Sequence, residues 1–340
     1  MPVRGLELLV TLARWKVLRP PDVTYPAVVR AILVVNPQAT STTAGGRDVL
    51  AHALASQVKL DVVETDYRGH ALAVARAAAR DGFDLVVAHG GDGTVNEVVN
   101  GLLADADPAK MTEGPMLGVV PGGSANVFAR ALGISPDPVE ATHQLLYALE
   151  HDDSRRIGLG LADGHWFTFN AGLGWDADVV GKVAKRRGKQ TSAALYLRAA
   201  VGSYFRPPLG RPPLTIQLPG EQEPAEALTA FVSNTDPWTY LGNRAVHLNS
   251  GCSFEAGLGL FALNGMGLPT VFRHVRQALL TESNQRGRRL LRHDDLAKIR
   301  IDAAEPVHFQ VDGDLVGQRT EVEFVSVPDA LTVVVSPPDL

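Results

Sequence analysis

Residues 89–94 of the 340-residue chain read HGGDGT and stand between a wholly apolar run and a stretch with helical spacing. Glycines at such a junction let backbone amides approach a phosphate, and the start of a helix adds partial positive charge. Thr94 could cap that helix or donate its hydroxyl to a phosphate oxygen. Asp92 is the informative residue, because a carboxylate repels phosphate unless a divalent cation lies between them. The predicted phosphate-binding residues are Gly90, Gly91, Asp92, Gly93 and Thr94.

This loop therefore predicts a site for a nucleotide with Mg²⁺, although a tight strand-to-helix turn with an incidental aspartate would use the same residues. It is neither a Walker A loop, since no Gly-Lys-Ser/Thr follows, nor the dinucleotide-binding Gly-x-Gly-x-x-Gly pattern.

A second glycine loop, PGGS, follows a later apolar run at residues 121–124. Two such loops at neighbouring strand ends could frame one ligand. Asn126 opens the next helix, where its amide could bond a nucleotide or simply cap the helix. Glu97 lies one turn into the first helix and could contact a ribose or stabilise the helix N-terminus through the dipole. The predicted binding residues of the second loop are Gly122, Gly123 and Ser124.

Two aspartates, Asp312 and Asp314, flank a glycine late in the sequence. Asp-Gly is a favoured hairpin dipeptide, so the spacing alone favours a turn between two strands. The same carboxylates could accept a proton from a hydroxyl or bind a metal ion during group transfer. No Ser-His-Asp pattern and no His-Glu-x-x-His spacing offers a competing chemistry.

Strands and helices alternate up to about residue 150, and both glycine loops follow predicted strands. The predicted strands are 28–35, 60–64, 85–88 and 116–120, and the predicted helices are 47–58, 70–80, 95–103 and 126–132. This alternation indicates a doubly wound, Rossmann-like α/β layer. Ligands of such sheets collect at the carboxyl ends of the strands, where both loops would lie.

Short strand-like segments dominate after residue 152 and predict a β-sandwich. They are residues 167–171, 214–218, 227–233, 259–263, 297–302, 307–311, 321–327 and 331–335. The expected organisation is an N-terminal amphipathic segment (1–27), an α/β nucleotide-binding domain (28–150) and a β-sandwich domain (151–340).

Composition narrows the function classes. A hydrophobic fraction of 45% allows full cores, and a net charge of −5 does not indicate a nucleic-acid partner. The single cysteine, Cys252, excludes an intrachain disulfide and a thiolate zinc site, which fits a reducing, cytoplasmic location. No apolar run reaches the roughly 18 residues that span a bilayer, and residues 1–19 do not have the form of a signal peptide.

Membrane-surface contact stays open at three places. Residues 1–19 form either a helix packed on the protein or an amphipathic segment lying on a membrane. Two basic clusters are either solvated surface or docking sites for anionic lipid headgroups. They comprise Lys182, Lys185, Arg186, Arg187 and Lys189, and Arg286, Arg288, Arg289 and Arg292.

Three stretches together resemble the catalytic domain of the diacylglycerol kinase family, which includes bacterial lipid kinases and the sphingosine kinases. They are residues 36–37 (NP), 89–101 (HGGDGTVNEVVNG) and 121–130 (PGGSANVFAR). A weaker resemblance continues through residues 169–177, 240–242 and 311–314. The order of these motifs along the chain is more specific than any one of them.

The resemblance implies a cleft between an α/β domain and a β-sandwich, where ATP, Mg²⁺ and a lipid meet. It places Asn36 and Thr65 at the adenine nucleotide and the loop around Asp92 at the phosphates and the metal. Asp312 would then accept the hydroxyl proton, and Asp314 would support it or bind metal beside Asp92. Residues 255–260 do not have the final aspartate of the family's structural Mg²⁺ segment, so that second site is not expected.

The expected function is an ATP-dependent lipid kinase that converts diacylglycerol to phosphatidic acid, in the cytoplasm or peripherally at the inner membrane face. A homodimer is left open. The alternatives are a sphingosine- or ceramide-type kinase, an NAD-kinase-like enzyme and a non-catalytic nucleotide- or lipid-binding relative.

Overall fold

The computed structural model describes residues 29–174, 214–280 and 285–336. The predicted N-terminal segment (1–27) and the first basic cluster (182–189) lie outside the described residues.

Four parallel strands form the first part of the sheet, in the spatial order β2-β1-β3-β4. They are β1 (Arg30–Val35), β2 (Lys59–Glu64), β3 (Leu85–Gly90) and β4 (Met116–Pro121). Every residue of β3 is buried, which explains the apolar run at 85–88 before His89 and Gly90. All four strands were predicted to within two residues at each end.

Five helices follow or precede these strands. They are α1 (Ala44–Ala55), α2 (His70–Arg80), α3 (Asp92–Leu102), α4 (Val127–Ala131) and α5 (Pro138–Glu150). Helix α1 begins three residues earlier than predicted, because Thr43 caps it by accepting a hydrogen bond from the Gly46 amide. Helix α5 was not predicted, although Asp137 caps it and Pro138 occupies its first turn, which are recognisable start signals.

The later part of the chain is rich in strands and carries one further long helix among the described residues, α6 (Leu268–Ala278). Its first strands are β5 (Arg155–Ala162), β6 (His165–Phe167), β7 (Asn170–Gly174), β8 (Leu214–Gln217), β9 (Ala225–Ala227) and β10 (Thr229–Ser233). Its later strands are β11 (Thr239–Leu241), β12 (Arg244–Val246), β13 (Leu258–Leu263), β14 (Leu290–Leu296), β15 (Lys298–Val311) and β16 (Asp314–Val333). Two pairs of short predicted strands are single long strands, β15 and β16.

The two halves of strand β15 pair with different strands and contribute to one apolar core. Its first half pairs with β8 and its second half with β7, and the register breaks between Asp302 and Val307. Ile299 from the first half and Phe309 from the second are both fully buried in one apolar cluster. A parallel α/β region followed by a sheet-rich region is confirmed as the fold class.

Strand β16 returns to the first region. Val333 pairs in parallel with Leu117 of β4, and the Val334 amide donates to the Leu117 carbonyl at 2.9 Å. Leu331 and Val333 belong to the same buried cluster as β1 and β3. The α/β sheet therefore includes residues from the far end of the chain, while the predicted domain bounds stay a prediction.

None of the helices within the described residues is both long and apolar enough to cross a bilayer.

We expect Gly101→Ala to destabilise the protein. Helices α2 and α3 approach so closely that a methyl group at Gly101 would overlap the Leu72 carbonyl oxygen and lie 2.8 Å from Cβ of Ala75. The overlap should cost about 1–3 kcal/mol and outweigh the roughly 1 kcal/mol that alanine gains in a helix. Urea unfolding measures the change. Gly114→Ala is the matched control, because nothing lies within 4 Å of its added methyl group, and equal stability of the two variants would contradict the packing argument.

Candidate functional site

The two glycine loops meet at the carboxyl edge of the parallel sheet. Gly90 at the end of β3 pairs with Pro121 at the end of β4, and the Gly122 amide donates to the Gly90 carbonyl at 2.7 Å. A methyl group on Gly123 would lie only 2.7 Å from Cα of Gly91. The glycines are thus needed for the contact between the loops, whether or not a phosphate binds there.

Asn36 and Thr65 lie side by side at the ends of β1 and β2. The Thr65 amide donates to the Val35 carbonyl at 2.8 Å, and Asn36 Nδ2 donates to Thr94 Oγ1 at 3.0 Å. The structure therefore brings the two predicted adenine-site residues together and links one of them to the phosphate loop.

Thr42 was missed by sequence reasoning and lies against the second loop. A methyl group on Gly122 would lie 2.7 Å from Thr42 Oγ1, and the neighbouring Ser41 amide donates to the Gly122 carbonyl at 2.8 Å. Thr42 Oγ1 is buried without a hydrogen-bond partner among the described residues. A buried hydroxyl in this state favours a polar ligand beside it.

Asp92 is the first residue of α3, and Gly91 precedes it as an N-cap without a side-chain hydrogen bond. Its Oδ1 accepts from the Phe128 amide at 3.3 Å, so the carboxylate lies at the start of α4 and connects the two loops. Burial raises the pKa of Asp92 to about 7, the Phe128 amide opposes the rise, and the charge of Asp312 adds to it. This carboxylate has little positive charge around it to keep it ionised, which is what a cation would supply.

The remaining predicted loop residues have separate placements. Asn126 stands at the N-cap position of α4, but its side chain bonds to Gly123 instead, accepting from the Gly123 amide at 2.9 Å and donating to its carbonyl at 2.8 Å, so it braces the second loop. Glu97 accepts from the Gly69 amide at 2.9 Å and thereby supports the start of α2, a neighbouring helix, instead of its own. Ser124 is exposed at the tip of the second loop.

Asp312 and Gly313 form the two-residue turn of the β15–β16 hairpin. Both have positive φ, 47° and 78°, and Val311 pairs with Asp314 across the turn. The interpretation of this sequence as a hairpin turn is therefore correct. The turn also directs the Asp312 carboxylate inwards, where only 6% of the residue is exposed.

Five hydrogen bonds end on the Asp312 carboxylate. Thr168 donates from its amide at 2.7 Å and its hydroxyl at 2.8 Å, and Asn96 Nδ2 donates at 2.8 Å, all to Oδ2. The amides of Phe169 and Asn170 each donate to Oδ1 at 3.0 Å. Burial raises the pKa of Asp312, and the Thr168, Asn170 and Phe169 amides oppose the rise. These bonds occupy the lone pairs that a proton acceptor would need.

The Asp312 contacts explain why the predicted strand 167–171 is two strands. The amides of Thr168 and Phe169 donate to a carboxylate and interrupt the strand between β6 and β7. Asn96 and Asn100, four residues apart on α3, both donate to the Trp166 carbonyl at 2.9 Å. This polar pair among apolar helix positions was a signal in the sequence that the prediction did not use.

Asp314 faces the phosphate loop from the β-rich region. A methyl group on Gly93 would lie 3.5 Å from Asp314 Oδ2, and Arg68 Nη2 lies 3.3 Å from the same oxygen. About a third of the Asp314 side chain and two thirds of the Arg68 side chain are exposed, at 33% and 68%. Arg68 lies in an exposed loop with no distinguishing pattern in the sequence, so it was not predicted.

The donor set suits Mg²⁺ held jointly with a nucleotide. No group of three or more His, Cys, Asp and Glu side chains forms a metal cage in the part of the chain that the structure describes. Magnesium in phosphoryl-transfer sites takes one or two carboxylates and completes its shell with phosphate and water. Asp92, which precedes Gly93 in the chain, and Asp314, which lies close to Gly93, are carboxylates of that kind.

A scan against known families matches residues 30–157 to the diacylglycerol kinase catalytic domain. The match covers both glycine loops and all four parallel strands. Residues 30–157 are therefore similar to a diacylglycerol kinase catalytic domain. The predicted resemblance is confirmed for this part of the chain.

Sequence relatives agree with the catalytic-domain assignment. The chain is 42% identical over 111 residues to the diacylglycerol kinase of Bacillus subtilis, which is 32% of this chain and 33% of that protein. It is 40% identical over 111 residues, 33% of each protein, to a Chromohalobacter salexigens protein named "Probable lipid kinase YegS-like". The matches span about a third of these relatives.

The fold likeness extends well beyond the catalytic domain. A crystal structure of a diacylglycerol kinase from Bacillus anthracis strain Sterne superposes with a TM-score of 0.68 at 20% identity, covering 93% of this chain and all of the other. At this identity the likeness supports the fold of both regions and leaves the chemistry to the site itself.

The raised pKa of Asp92 predicts a pH-dependent stability. The folded protein binds the Asp92 proton more tightly than the unfolded chain does. The contribution of Asp92 to the unfolding free energy is therefore complete below about pH 4 and is lost as the pH rises to about 7. The unfolding free energy of the wild type should therefore fall, relative to that of Asp92→Asn, by on the order of a few kcal/mol over this range. Urea unfolding at several pH values measures it. Asp61→Asn, an exposed position on β2, is the control, and parallel profiles for wild type and Asp92→Asn would exclude the burial argument.

Proposed function

We propose that the protein is a lipid kinase that transfers the γ-phosphoryl group of ATP to a lipid hydroxyl, with diacylglycerol as acceptor and phosphatidic acid as product. One observation carries the proposal: the Asp314 carboxylate, at the tip of a hairpin from the β-rich region, lies opposite Gly93 of the phosphate loop. A nucleotide held by the loop would present its terminal phosphate to this carboxylate. The acceptor hydroxyl would enter between them.

Three groups would bind the triphosphate in this proposal. The first two amides of α3, those of Asp92 and Gly93, have no intrahelical acceptor and would offer an anion site at the phosphate loop. Arg68 supplies a positive charge, which the lysine-poor loop does not have. Mg²⁺, which Asp92 would hold together with the phosphates, would neutralise charge on the transferred phosphoryl group.

We assign the proton-accepting role to Asp314 and a positioning role to Asp312, which divides the predicted pair differently. The acceptor oxygen forms a bond to the γ-phosphorus as the bond to ADP breaks, and the hydroxyl proton passes to Asp314. Asp314 is partly exposed at the cleft. The five hydrogen bonds of Asp312 instead hold the hairpin that carries Asp314.

Diacylglycerol is proposed as the acceptor because relatives of the catalytic domain carry that name. The sphingosine or ceramide, NAD-kinase-like and non-catalytic alternatives use the same nucleotide loop. They differ in the acceptor and are separated by assay.

Purified protein with labelled ATP and Mg²⁺ should transfer label to diacylglycerol when it is offered beside sphingosine, ceramide and NAD. Thin-layer chromatography of the products identifies the acceptor. Label in NADP would favour the NAD-kinase-like alternative. If no acceptor were labelled, the non-catalytic alternative, a nucleotide- or lipid-binding protein, would be favoured. Omission of Mg²⁺ is the matched control and should abolish transfer.

Substitution of Asp314 should lower activity, whereas substitution of Asp312 should lower stability. Asp314→Asn should lower kcat by about 10²- to 10⁴-fold and leave urea unfolding unchanged, because it removes a proton acceptor from a partly exposed position. Asp312→Asn should lose about 2–4 kcal/mol of stability, because its amide group would face backbone donors. Kinetics and urea unfolding of both variants, with Asp61→Asn as control, test the division. A stable, inactive Asp312→Asn beside an active Asp314→Asn would reverse the two roles.

A further inference from the structure

Helix α6 exposes a stripe of large apolar side chains. Leu268, Phe272 and Val275 follow one another at helical spacing and are 62%, 73% and 53% exposed. Leu280, just beyond the helix, is 48% exposed. Side chains spaced at i, i+4 and i+7 lie on one face of a helix, so this is a continuous apolar ridge and not a scatter of single residues.

The opposite face of α6 is anchored to the protein. His274 and Ala278 are buried, and Ala278 packs in a cluster with Phe231 and Phe261. The His247 amide donates to the Ala278 carbonyl at 2.7 Å, and Arg244 donates to the Leu279 carbonyl at 2.7 Å. The core contact of the helix is thus complete, and the exposed ridge is an additional apolar face.

Positive charge surrounds the ridge. Residues 264–292 contain six arginines and one acidic residue, Glu282. Arg292 pairs with Asp294, whereas the other five form no ion pair with an acidic side chain within the described residues. These five, named here the arginine cluster, are Arg273, Arg276, Arg286, Arg288 and Arg289. The Arg286 backbone bonds to the Gln277 side chain through both its amide and its carbonyl, which holds the later arginines beside the last turn of α6.

We propose that the α6 ridge and the arginine cluster form a docking surface for an anionic lipid bilayer. Apolar side chains on a convex helix can enter the acyl boundary while flanking arginines meet lipid phosphates. A second copy of the chain fits less well, because two arginine clusters would face each other. The surface does not depend on the net charge of −5, since the attraction is local and acts within about a Debye length.

The inference rests on the proposed function for its purpose, because a lipid acceptor resides in a membrane. A chain of contacts also joins the surface to the site. Arg244 and His247, which hold the end of α6, belong to or follow the β11–β12 hairpin. In the same hairpin the Tyr240 ring lies 3.3 Å beneath the guanidinium of Arg130 on α4, the helix whose start contacts Asp92.

Flotation of the full chain with vesicles tests the surface. The protein should float with vesicles of phosphatidylcholine and phosphatidylglycerol, bind phosphatidylcholine alone much less, and be released by salt. Phe272→Ser should weaken binding about tenfold. Arg273→Gln with Arg276→Gln should weaken it roughly 25-fold, at roughly fivefold for each arginine near an anionic surface.

Matched controls keep the result specific. Val139→Ser removes an apolar side chain that is 65% exposed on α5, and Lys59→Gln with Lys110→Gln removes two exposed charges elsewhere. Both should bind as the wild type does. Equal binding by wild type and the α6 variants would overturn the proposal and assign docking to another surface. The proposal would also be overturned if the wild type formed a dimer that Phe272→Ser dissociates. Binding to an acidic protein without binding to vesicles would overturn it as well.

A soluble substrate separates this inference from the proposed function. With a short-chain diacylglycerol in free solution, Phe272→Ser should match the wild-type rate, while its rate on vesicle-borne diacylglycerol should fall with binding. If the wild type floats with anionic vesicles but phosphorylates neither soluble nor vesicle-borne diacylglycerol, the kinase proposal is contradicted and the docking surface is supported. If the wild type is active and the α6 variants have the same activity on vesicles as the wild type, the docking surface is contradicted and the kinase proposal stands.

Discussion

The buried carboxylate of Asp312 is the interaction on which the arrangement of the site depends. It receives hydrogen bonds from α3 through Asn96, from the break between β6 and β7 through two backbone amides, and from the first amide of β7. A buried carboxylate is costly unless several donors satisfy it, so these elements must adopt one relative position. That position places Asp314, two residues later, opposite Gly93. The geometry of the cleft is thus set by an acidic side chain that is itself withdrawn from it.

The contact between the two glycine loops is a second constraint of the same kind. Because Gly91 and Gly123 meet backbone to backbone, no side chain can separate the carboxyl ends of β3 and β4. Asp92 then accepts from the start of α4, and Asn126 locks the second loop through Gly123. Contacts within the chain thus organise the proposed phosphate site, which would reduce the entropy lost on binding.

The α/β half was predictable because its signals are local. Apolar runs such as that of β3 end in glycines, and α2 was placed to the residue. The family and the loops followed from the same stretches. The joined strands β15 and β16 were predicted as pairs of short ones, since polar residues at a bend resemble a turn. The resemblance implied that Asp312 accepts the proton, because the sequence alone does not show which of the two carboxylates the turn directs inwards. Arg68 has meaning only through its distance to Asp314, which no local pattern encodes.

The return of β16 to the parallel sheet affects how the protein is made. Leu331 and Val333 complete the core around β1 and β3, yet they leave the ribosome roughly 300 residues after β1 does. Until β16 has been synthesised, β4 is an edge strand of the parallel sheet. Its unpaired backbone groups are then exposed to other chains. The α/β region therefore cannot complete its core until the last strand has been made, and we expect the two regions to unfold in one cooperative transition.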